Sequence, residues 1–316
     1  MPSNSVLVTM KKVSVFAPAT VANLGPGFDV LAFALDNPGD TIEMELSSEP
    51  GIVMKKITGD GAKLPCDGSN TVCIAAADVM KKIGAGDGVE ITLHKNMPLG
   101  SGMGSSGASA VGGAYAVNVL FGEPLKKEEL VESCLKAEIA VSGCHADNVA
   151  SSMMGGFVII QSYNPFRIIP LGSMDMHVAI VNPHFELPTK VARSVIPQSV
   201  PLKDVISNAG NLATIIAAIH RNDAKMLGLG INDRIVEPAR AHLIPGFYDV
   251  KKAALDSGAF GCTISGAGPS VFAVTDEKSK AEQIGRAMAE AFSRNGLNSR
   301  VYISGVSKSG ARMVKD

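Results

Sequence analysis

The sequence predicts a two-domain protein in which strands and helices are mixed along the chain. Its 316 residues exceed the length that one hydrophobic core usually serves, but they are few for three domains. An irregular stretch around residues 165–173 precedes the apolar run Val178 to Val181, which opens a second unit. We therefore place the boundary near Gly172, with domains at residues 1–172 and 173–316.

The spacing of apolar residues predicts the elements of the first domain. Alternating or β-branched runs indicate strands, and recurrence at every third or fourth position indicates helices. The Pro/Gly-rich residues 18–29 predict a loop between the first two strands. In chain order the predicted elements are strands 13–16 and 41–46, helix 70–83, strand 89–93, helices 108–120 and 125–140, a turn or helix over 143–154, and strand 157–161.

The second domain again alternates between the two kinds of element, and the chain shows no fixed-period repeat. Its predicted elements are strand 178–181, helices 208–219 and 248–257, strand 270–275, helix 278–295 and strand 299–304.

Composition excludes several classes of protein. Lys and Arg number 29 against 30 Asp and Glu, so nucleic acid is not an expected partner. The five cysteines are scattered and form no Cys-x-x-Cys pair, which argues against a disulfide framework or a zinc site. The amino end lacks the order of a secretory signal, and no apolar stretch approaches about 20 residues. We expect a cytoplasmic protein that does not span a membrane.

A Gly/Ser-rich segment between a predicted strand and a predicted helix has the character of a phosphate-binding loop. Glycines at alternate positions let the backbone N–H groups approach a ligand, and the helix amino end adds partial positive charge. Ser105 and Ser106 could cap the helix or reach a metal ion. The segment consists of Pro98, Leu99, Gly100, Ser101, Gly102, Met103, Gly104, Ser105, Ser106, Gly107 and Ala108.

This loop differs from the two commonest nucleotide-binding loops. No Lys follows the last glycine, unlike a Walker loop, and the Gly-x-Gly-x-Gly spacing lacks the acidic residue of a dinucleotide fold. The alternative is an ordinary Gly-rich turn with a Ser cap.

Glu138 is a candidate metal ligand, because it follows Val131 and Cys134 at helical offsets on an apolar face. Mg²⁺ bound by Glu138 and a loop serine would give this carboxylate a partner. The alternative is a glutamate at the helix edge that reaches solvent.

Three further polar clusters are candidates for binding a small substrate. Asn23 and Asp29 lie in the Pro/Gly-rich loop, where Asp29 could hold an ammonium group or both could make only turn hydrogen bonds. His145, Asp147 and Asn148 could orient a hydroxyl or ammonium group.

Arg193, near Thr189, and Arg240 lie in polar turns and could together bind a carboxylate, although exposed surface arginines are the alternative. A second glycine turn, residues 261–270, could close over the phosphate loop or simply connect two strands.

The order of these motifs resembles the superfamily of small-molecule kinases that includes galactokinase, homoserine kinase, mevalonate kinase and phosphomevalonate kinase. The loop resembles its Pro-x-x-x-Gly-Leu-Gly-Ser-Ser-Ala-Ala signature, with Met103 for Leu and Gly107 for the first Ala. From Val13 to about Val306 the chain is most similar to the homoserine kinases. The matching motifs are Pro18-Ala19-Thr20 through Gly25-x-Gly27-Phe28-Asp29, His145 to Ala150, Asp233-x-Ile235-x-Glu237-Pro238-x-Arg240, and Leu243 to Gly246.

The resemblance implies an α+β fold, with an amino-terminal domain of the ribosomal-protein-S5 type and a ferredoxin-like carboxy-terminal domain. It implies transfer of the γ-phosphate of ATP to the side-chain hydroxyl of L-homoserine in threonine biosynthesis, and a homodimer. Kinases for another small alcohol, and a non-catalytic nucleotide-binding module, are the alternatives.

The same resemblance implies roles for individual residues. Residues 98–108 would bind the ATP phosphates, and Ser106 with Glu138 would hold Mg²⁺. Asp147 matches the position of a catalytic Asp in some relatives, and Ser106 and Asn148 would also serve catalysis. The residues that would contact homoserine are Asn23, Asp29, His145 and Asn148 at its amino and hydroxyl groups, and Thr189, Arg193 and Arg240 at its carboxylate.

Overall fold

The computed structural model describes residues 10–314, which form two β-sheets flanked by helices. The strands are β1 (Lys12–Ala22), β2 (Leu31–Ser47), β3 (Ile52–Gly59), β4 (Gly88–Lys95), β5 (Phe157–Tyr163), β6 (Phe166–Gly172), β7 (His177–Pro183), β8 (Gly261–Ile264), β9 (Val271–Thr275), β10 (Ser299–Gly305) and β11 (Arg312–Met313). The helices are α1 (Thr71–Ile83), α2 (Ser105–Leu120), α3 (Lys127–Val141), α4 (Asp147–Met154), α5 (Thr189–Ser194), α6 (Leu202–Arg221), α7 (Ala224–Gly230), α8 (Val236–Arg240), α9 (Phe247–Asp256) and α10 (Lys278–Arg294), with a 3₁₀ turn at Ala241–Leu243.

The first sheet has the strand order β11-β1-β2-β4-β3, and the hairpin β5-β6 is attached through β2. All pairs are antiparallel except β3 with β4. Strand β2 is long enough, at 17 residues, to pair with β4 near one end and with β5 near the other. Helix α2 packs against β1 and β2, and all of its residues except Ser106 and Tyr115 are buried, as expected for a helix covered on most sides.

The second sheet is antiparallel, in the order β10-β7-β9-β8, and each of its faces packs into a different core. Val178 and Ile180 of β7 belong to the core shared with the first sheet, whereas Ala179 and Val181 pack with α9 and α10. This division follows from the alternation of side chains along a strand.

Aromatic packing joins the two sheets. The Phe33 ring of β2 lies 5.0 Å from the Phe157 ring and 6.4 Å from the Phe272 ring of the second sheet. All three side chains are buried, so the sheets share one continuous core. Each sheet nevertheless has its own helices, and the second has a separate core on its other face, so the α+β fold with two domains is confirmed.

The position of the domain boundary stays a prediction, but sheet membership can be described. The chain leaves the first sheet at Gly172 and enters the second at His177. It then returns, because β11 pairs with β1 through Val15 opposite Met313.

Three local predictions are wrong. Residues 261–264, predicted as part of a glycine turn, form strand β8. Residues 18–22, predicted as loop, continue strand β1, and Thr20, Val21 and Ala22 pair with residues 32–34 of β2. Their small side chains are fully buried, which suits a central strand despite Pro18. The stretch 165–173, predicted as irregular, contains edge strand β6, where Pro170 is tolerated because one side of the strand has no partner.

Among the described residues, no helix is both long and apolar enough to cross a membrane.

Candidate active site

A cavity of about 290 Å³ lies where the β1–β2 connection, the start of α2 and the start of α4 meet residues of the second domain. The predicted loop residues Leu99, Gly100, Ser101, Gly102, Gly104, Ser105 and Ser106 line it. So do all the other predicted site residues, namely Asn23, Asp29, Glu138, His145, Asp147, Asn148, Thr189, Arg193 and Arg240. Pro98, Met103, Gly107 and Ala108 lie outside its wall, with Met103 and Ala108 buried in the core.

Hydrogen bonds to its carbonyl groups hold the loop before α2 in place. Four successive carbonyls, from Gly100 to Met103, accept hydrogen bonds of 2.8–3.1 Å from other parts of the chain. The donors are, in order, Leu187 N, Ser270 N, Ser265 Oγ and Thr20 N. The eight backbone N–H groups of residues 100–107 donate to no acceptor among the described residues. A run of free N–H groups at a helix amino end is suited to binding an anion.

Glycine is required in this loop because the backbone is left-handed and closely packed. Gly104 has φ of 68°, and a Cβ atom there would overlap with Thr20 Oγ1. Gly102 has φ of 76°, and its Cβ would overlap with the Ser265 carbonyl oxygen. Residues 265–270 of the second glycine turn therefore pack directly on the loop, and they also connect strand β8 to strand β9.

Glu138 reaches the cavity from α3 and is only 3% exposed, so the interpretation as a solvent-exposed helix-edge residue is wrong. Its Oε2 accepts a 2.8 Å hydrogen bond from Ser142 Oγ, while its Oε1 is buried without a hydrogen-bond partner. A carboxylate oxygen in that state, together with the Ser106 hydroxyl on the same cavity, fits the oxygen ligands that Mg²⁺ prefers.

His145, Asp147 and Asn148 cluster at the start of α4. The His145 ring is buried with no partner for Nε2, and Asp147 Oδ1 accepts from Asn148 N at 2.8 Å and Asn148 Nδ2 at 3.2 Å. Asn148 Oδ1 in turn accepts a 2.6 Å bond from Thr20 Oγ1. Burial and the negative charge of Asp29 raise the pKa of Asp147 to about 6. The cluster can therefore orient a polar group and change charge near pH 6.

The two arginines converge on the β1–β2 connection. Arg193 binds Asp29 with two hydrogen bonds of 2.9 Å, and both guanidinium groups lie 5.1 Å from the centre of the Phe28 ring. Arg240 is 2% exposed and donates only to the carbonyls of Ala192 (2.9 Å) and Gly266 (2.8 Å), so no carboxylate among the described residues pairs with it. This buried cation is suited to receive a carboxylate from a ligand.

Asn23 lies in the same connection and links it to the second glycine turn. Its Nδ2 donates to the Gly266 carbonyl at 2.9 Å, and its Oδ1 accepts from Asp29 N at 3.1 Å. Both Asn23 and Asp29 have positive φ, 74° and 58°, which asparagine and aspartate adopt more easily than most residues. The turn hydrogen bonds and the exposure to the cavity are thus both present.

A buried ion pair that was not predicted from the sequence lies beneath the loop. Lys95, at the end of β4, contacts Asp40 and donates to the Ser105 carbonyl at 2.5 Å and to Ser109 Oγ at 2.8 Å. Both charged side chains are at most 1% exposed. No local pattern marked either residue for burial, because Asp40 follows Asn37-Pro38-Gly39 and Lys95 stands between His94 and Asn96.

Two family models match the chain. "GHMP kinases N terminal domain" matches residues 70–156, and "GHMP kinases C terminal" matches residues 215–294. The homoserine kinase of Chlorobium phaeobacteroides strain BS1 is 43% identical over 96% of this chain and 100% of its own length. The homoserine kinase of Arabidopsis thaliana is 47% identical over 96% of this chain and 84% of its own length.

Solved structures give the same result. The crystal structure of homoserine kinase from Cytophaga hutchinsonii matches with a TM-score of 0.92 at 43% identity, covering 98% of this chain and 99% of that one. The structure of L. major mevalonate kinase has a TM-score of 0.73 at 16% identity, covering 96% and 99%, which shows the shared fold alone. The resemblance found in the sequence is thereby confirmed, and the chain belongs to the homoserine kinase family of the GHMP kinases.

Proposed function

We propose that the chain transfers the γ-phosphoryl group of ATP to the side-chain hydroxyl of L-homoserine, giving O-phospho-L-homoserine for threonine biosynthesis. Family membership supports the reaction. The cavity supports the assignment of residues, because it brings a run of free backbone N–H groups, a buried carboxylate and two arginines together.

One observation carries the site assignment. Six buried side-chain polar atoms lack a hydrogen-bond partner in the described residues, and all but Tyr302 Oη belong to residues that line this cavity. They are Ser101 Oγ, Ser105 Oγ, Glu138 Oε1, His145 Nε2 and Arg193 Nε. Unpaired buried polar atoms are costly, so their concentration at one place supports a polar ligand that completes them.

The loop that begins at Pro98 binds the ATP phosphates through the free backbone N–H groups of residues 100–107. Glu138 and the Ser106 hydroxyl would hold Mg²⁺, which supplies neutralisation of the phosphate charge. The loop does not need a lysine for this task, because the N–H groups and the helix amino end already provide positive potential.

The amino-acid substrate binds between the polar clusters. Asp29, Asn23 and His145 take its ammonium group, and Thr189, Arg193 and Arg240 take its carboxylate. Asn148 and Asp147 orient the hydroxyl towards the phosphate loop, which Asn148 reaches through Thr20. Positioning supplies most of what phosphoryl transfer requires, and Asp147 can accept the hydroxyl proton only above about pH 6, where it is ionised.

An assay of ADP release with L-homoserine, L-serine and mevalonate tests the reaction. We expect turnover with L-homoserine to exceed that with the other two alcohols. Preference for another alcohol would move the chain to a different kinase activity of the same superfamily, and no turnover with any of them would favour a non-catalytic nucleotide-binding module.

Replacing Asn148 tests the substrate side of the cavity. Asn148→Ala should lower L-homoserine turnover by about 10- to 100-fold, because the hydroxyl loses its alignment with the phosphate. Binding of an ATP analogue, measured by calorimetry on the same variant, should change little. Unchanged kinetics would remove Asn148 from the site.

A cytoplasmic location and a homodimeric assembly, both implied by the family resemblance, stay predictions. Cell fractionation and light scattering of the purified protein test them separately.

A further inference from the structure

Two acidic residues of the Asp233-x-Ile235-x-Glu237-Pro238-x-Arg240 motif have no place in the cavity, although Arg240 does. Both are buried, with Asp233 at 5% and Glu237 at 7% exposure. Buried carboxylates are costly unless hydrogen-bonded, so their partners indicate what they do.

Asp233 fixes the amino end of the short helix α8. Its carboxylate accepts hydrogen bonds of 2.8–3.1 Å from three successive backbone N–H groups, those of residues 235–237. Asn208 of α6 supports it from outside, donating from Nδ2 to Asp233 Oδ1 at 2.8 Å and accepting from Arg234 N at 2.9 Å. Both oxygens of Asp233 are therefore used to hold one helical turn.

Glu237 fixes the same turn to the rest of the second domain. Its two oxygens accept from Lys251 Nζ of α9 at 2.6 and 2.7 Å, and Oε2 also accepts from Thr263 Oγ1 of β8 at 2.6 Å. Arg240 lies one helical turn further along, so its backbone position depends on these two anchors.

The Arg240 side chain needs such support because its surroundings disfavour its charge. Burial and the nearby charge of Arg193 lower the pKa of Arg240 to about 10, while Asp29 and Asp233 act in the opposite direction. The negative charge of Asp233 therefore also favours the charged form of a buried guanidinium group whose hydrogen bonds all go to carbonyl groups.

We propose that Asp233 and Glu237 are positioning residues that hold helix α8 so that Arg240 presents its guanidinium group to the carboxylate of the substrate. Neither touches the substrate; they set specificity for amino alcohols that carry a carboxylate. This rests on the proposed role of Arg240 as a carboxylate ligand.

The experiment compares Asp233→Asn, Glu237→Gln, Asn208→Ala and Arg240→Ala on two substrates. L-homoserine carries the carboxylate, and 3-aminopropan-1-ol is the same amino alcohol without it. Asp233→Asn should raise the KM for L-homoserine by about tenfold or more, since misplacing a substrate-binding group by a fraction of an ångström is enough for such a loss. The KM for ATP and the kcat/KM for 3-aminopropan-1-ol should stay within about twofold.

Asn208→Ala is the mild variant, because it leaves the Asp233 carboxylate in place and removes only its outer support. Asn208→Ala should raise the KM for L-homoserine by a smaller factor. Glu237→Gln should raise it by about as much as Asp233→Asn does. Asp78→Asn is the matched control, since that carboxylate is partly buried and hydrogen-bonded to Ser133 and Lys136 outside the cavity. It should leave both substrates unaffected.

A double-mutant cycle separates the carboxylate-binding role of Arg240 from the positioning role of Asp233 and Glu237. If Asp233 acts through Arg240, then adding Asp233→Asn to Arg240→Ala should raise the KM for L-homoserine no further. An effect of Arg240→Ala without any effect of Asp233→Asn or Glu237→Gln overturns the positioning role and leaves the proposed function standing. No effect of Arg240→Ala on L-homoserine would instead refute the carboxylate site itself. Equal losses on both substrates would show a general structural role and also overturn the proposal.

Discussion

Individual residues of the cavity are arranged for a ligand rather than for stability. Glu138 Oε1 and His145 Nε2 are buried and unpaired, and Arg240 is a buried cation whose hydrogen bonds all go to carbonyl groups. An apolar side chain of similar size at each of these positions would make the folded protein more stable. Sites that bind or react commonly carry such a cost, which is offset elsewhere in the fold.

Burial of the Asp147 carboxylate should make the stability of the folded protein depend on pH. Its folded pKa of about 6, raised by burial, exceeds the value of roughly 4 expected in the unfolded chain. Between these values the folded state binds more protons, so Asp147 lowers the stability of the protein as the pH rises from about 4 to 6. Asp147→Asn should remove that loss and raise the urea midpoint at pH 7 relative to the unaltered chain.

Urea unfolding of both proteins at pH 4.5 and pH 7 measures this effect. Asp78→Asn is an informative control with the opposite sign. Burial alone would raise the pKa of Asp78, but hydrogen bonds from Lys136 and Ser133 lower it. Ionised Asp78 therefore stabilises the folded protein at pH 7, and this stabilisation is lost in acid. If Asp147→Asn destabilised the protein at pH 7, the raised pKa would be refuted.

At the scale of elements, the loop before α2 depends on glycine as much as on any polar residue. Gly104→Ala would place a methyl group against Thr20 Oγ1 and within 2.8 Å of Asn148 Oδ1, in a left-handed backbone. We expect a loss of stability of about 1–3 kcal/mol from backbone strain and a fall in kcat/KM of about 100-fold. Chemical denaturation and steady-state kinetics measure the two effects.

Gly86→Ala is the matched control for that substitution. A Cβ atom there would meet no heavy atom within 4 Å, and Gly86 does not have positive φ. The Gly86→Ala variant should be as stable as the unaltered chain or more stable by about 0.5 kcal/mol, because alanine restricts the unfolded chain. Normal activity in Gly104→Ala would show that the loop does not need its described conformation.

The elements also show what a sequence can predict. The placement of the loop before α2 and of Glu138 at one cavity was predicted because each rests on a local pattern: glycines before a helix, and a carboxylate on an apolar stripe. Strand β6 was missed because an edge strand with Pro170 lacks the alternation of a half-buried one. The Lys95–Asp40 pair was missed because its partners lie 55 residues apart, and only the pairing of β2 with β4 brings them together. Phe28 was quoted in a motif, but its contact with two arginines depends on the second domain.

At the scale of the whole molecule, the chain returns to its first sheet after completing the second. Lys127 of α3 holds the returning segment, donating to the carbonyls of Ser309 at 2.7 Å and Ala311 at 2.9 Å. Its ammonium group also lies 5.3 Å from the centre of the Tyr115 ring. Lys127 and β11 thus help to fix the carboxy-terminal segment to the first domain, together with backbone hydrogen bonds from Ser307 N to Ala34 O and from Ala311 N to Ser152 O.

Lys127→Met should therefore destabilise the whole protein by about 1–3 kcal/mol, because two carbonyl groups lose a charged donor. Guanidinium denaturation measures the change. Lys81→Met, at an exposed lysine of α1, removes the same charge and should stay within about 0.5 kcal/mol. Equal stability of the two variants would contradict the anchoring role of Lys127.

The core shared by the two sheets restricts how ligands enter and leave. Rotation of one domain away from the other would separate the Phe33 ring from the Phe272 ring and expose buried apolar side chains to water. Movement of the loops at the rim costs far less. Lys63 and Glu186, each next to a residue that lines the cavity, form an ion pair of 3.0 Å with side chains 80% and 54% exposed, and such pairs contribute little stability. We therefore expect nucleotide and product to enter and leave by movement of these exposed loop segments, while the two sheets stay fixed relative to each other.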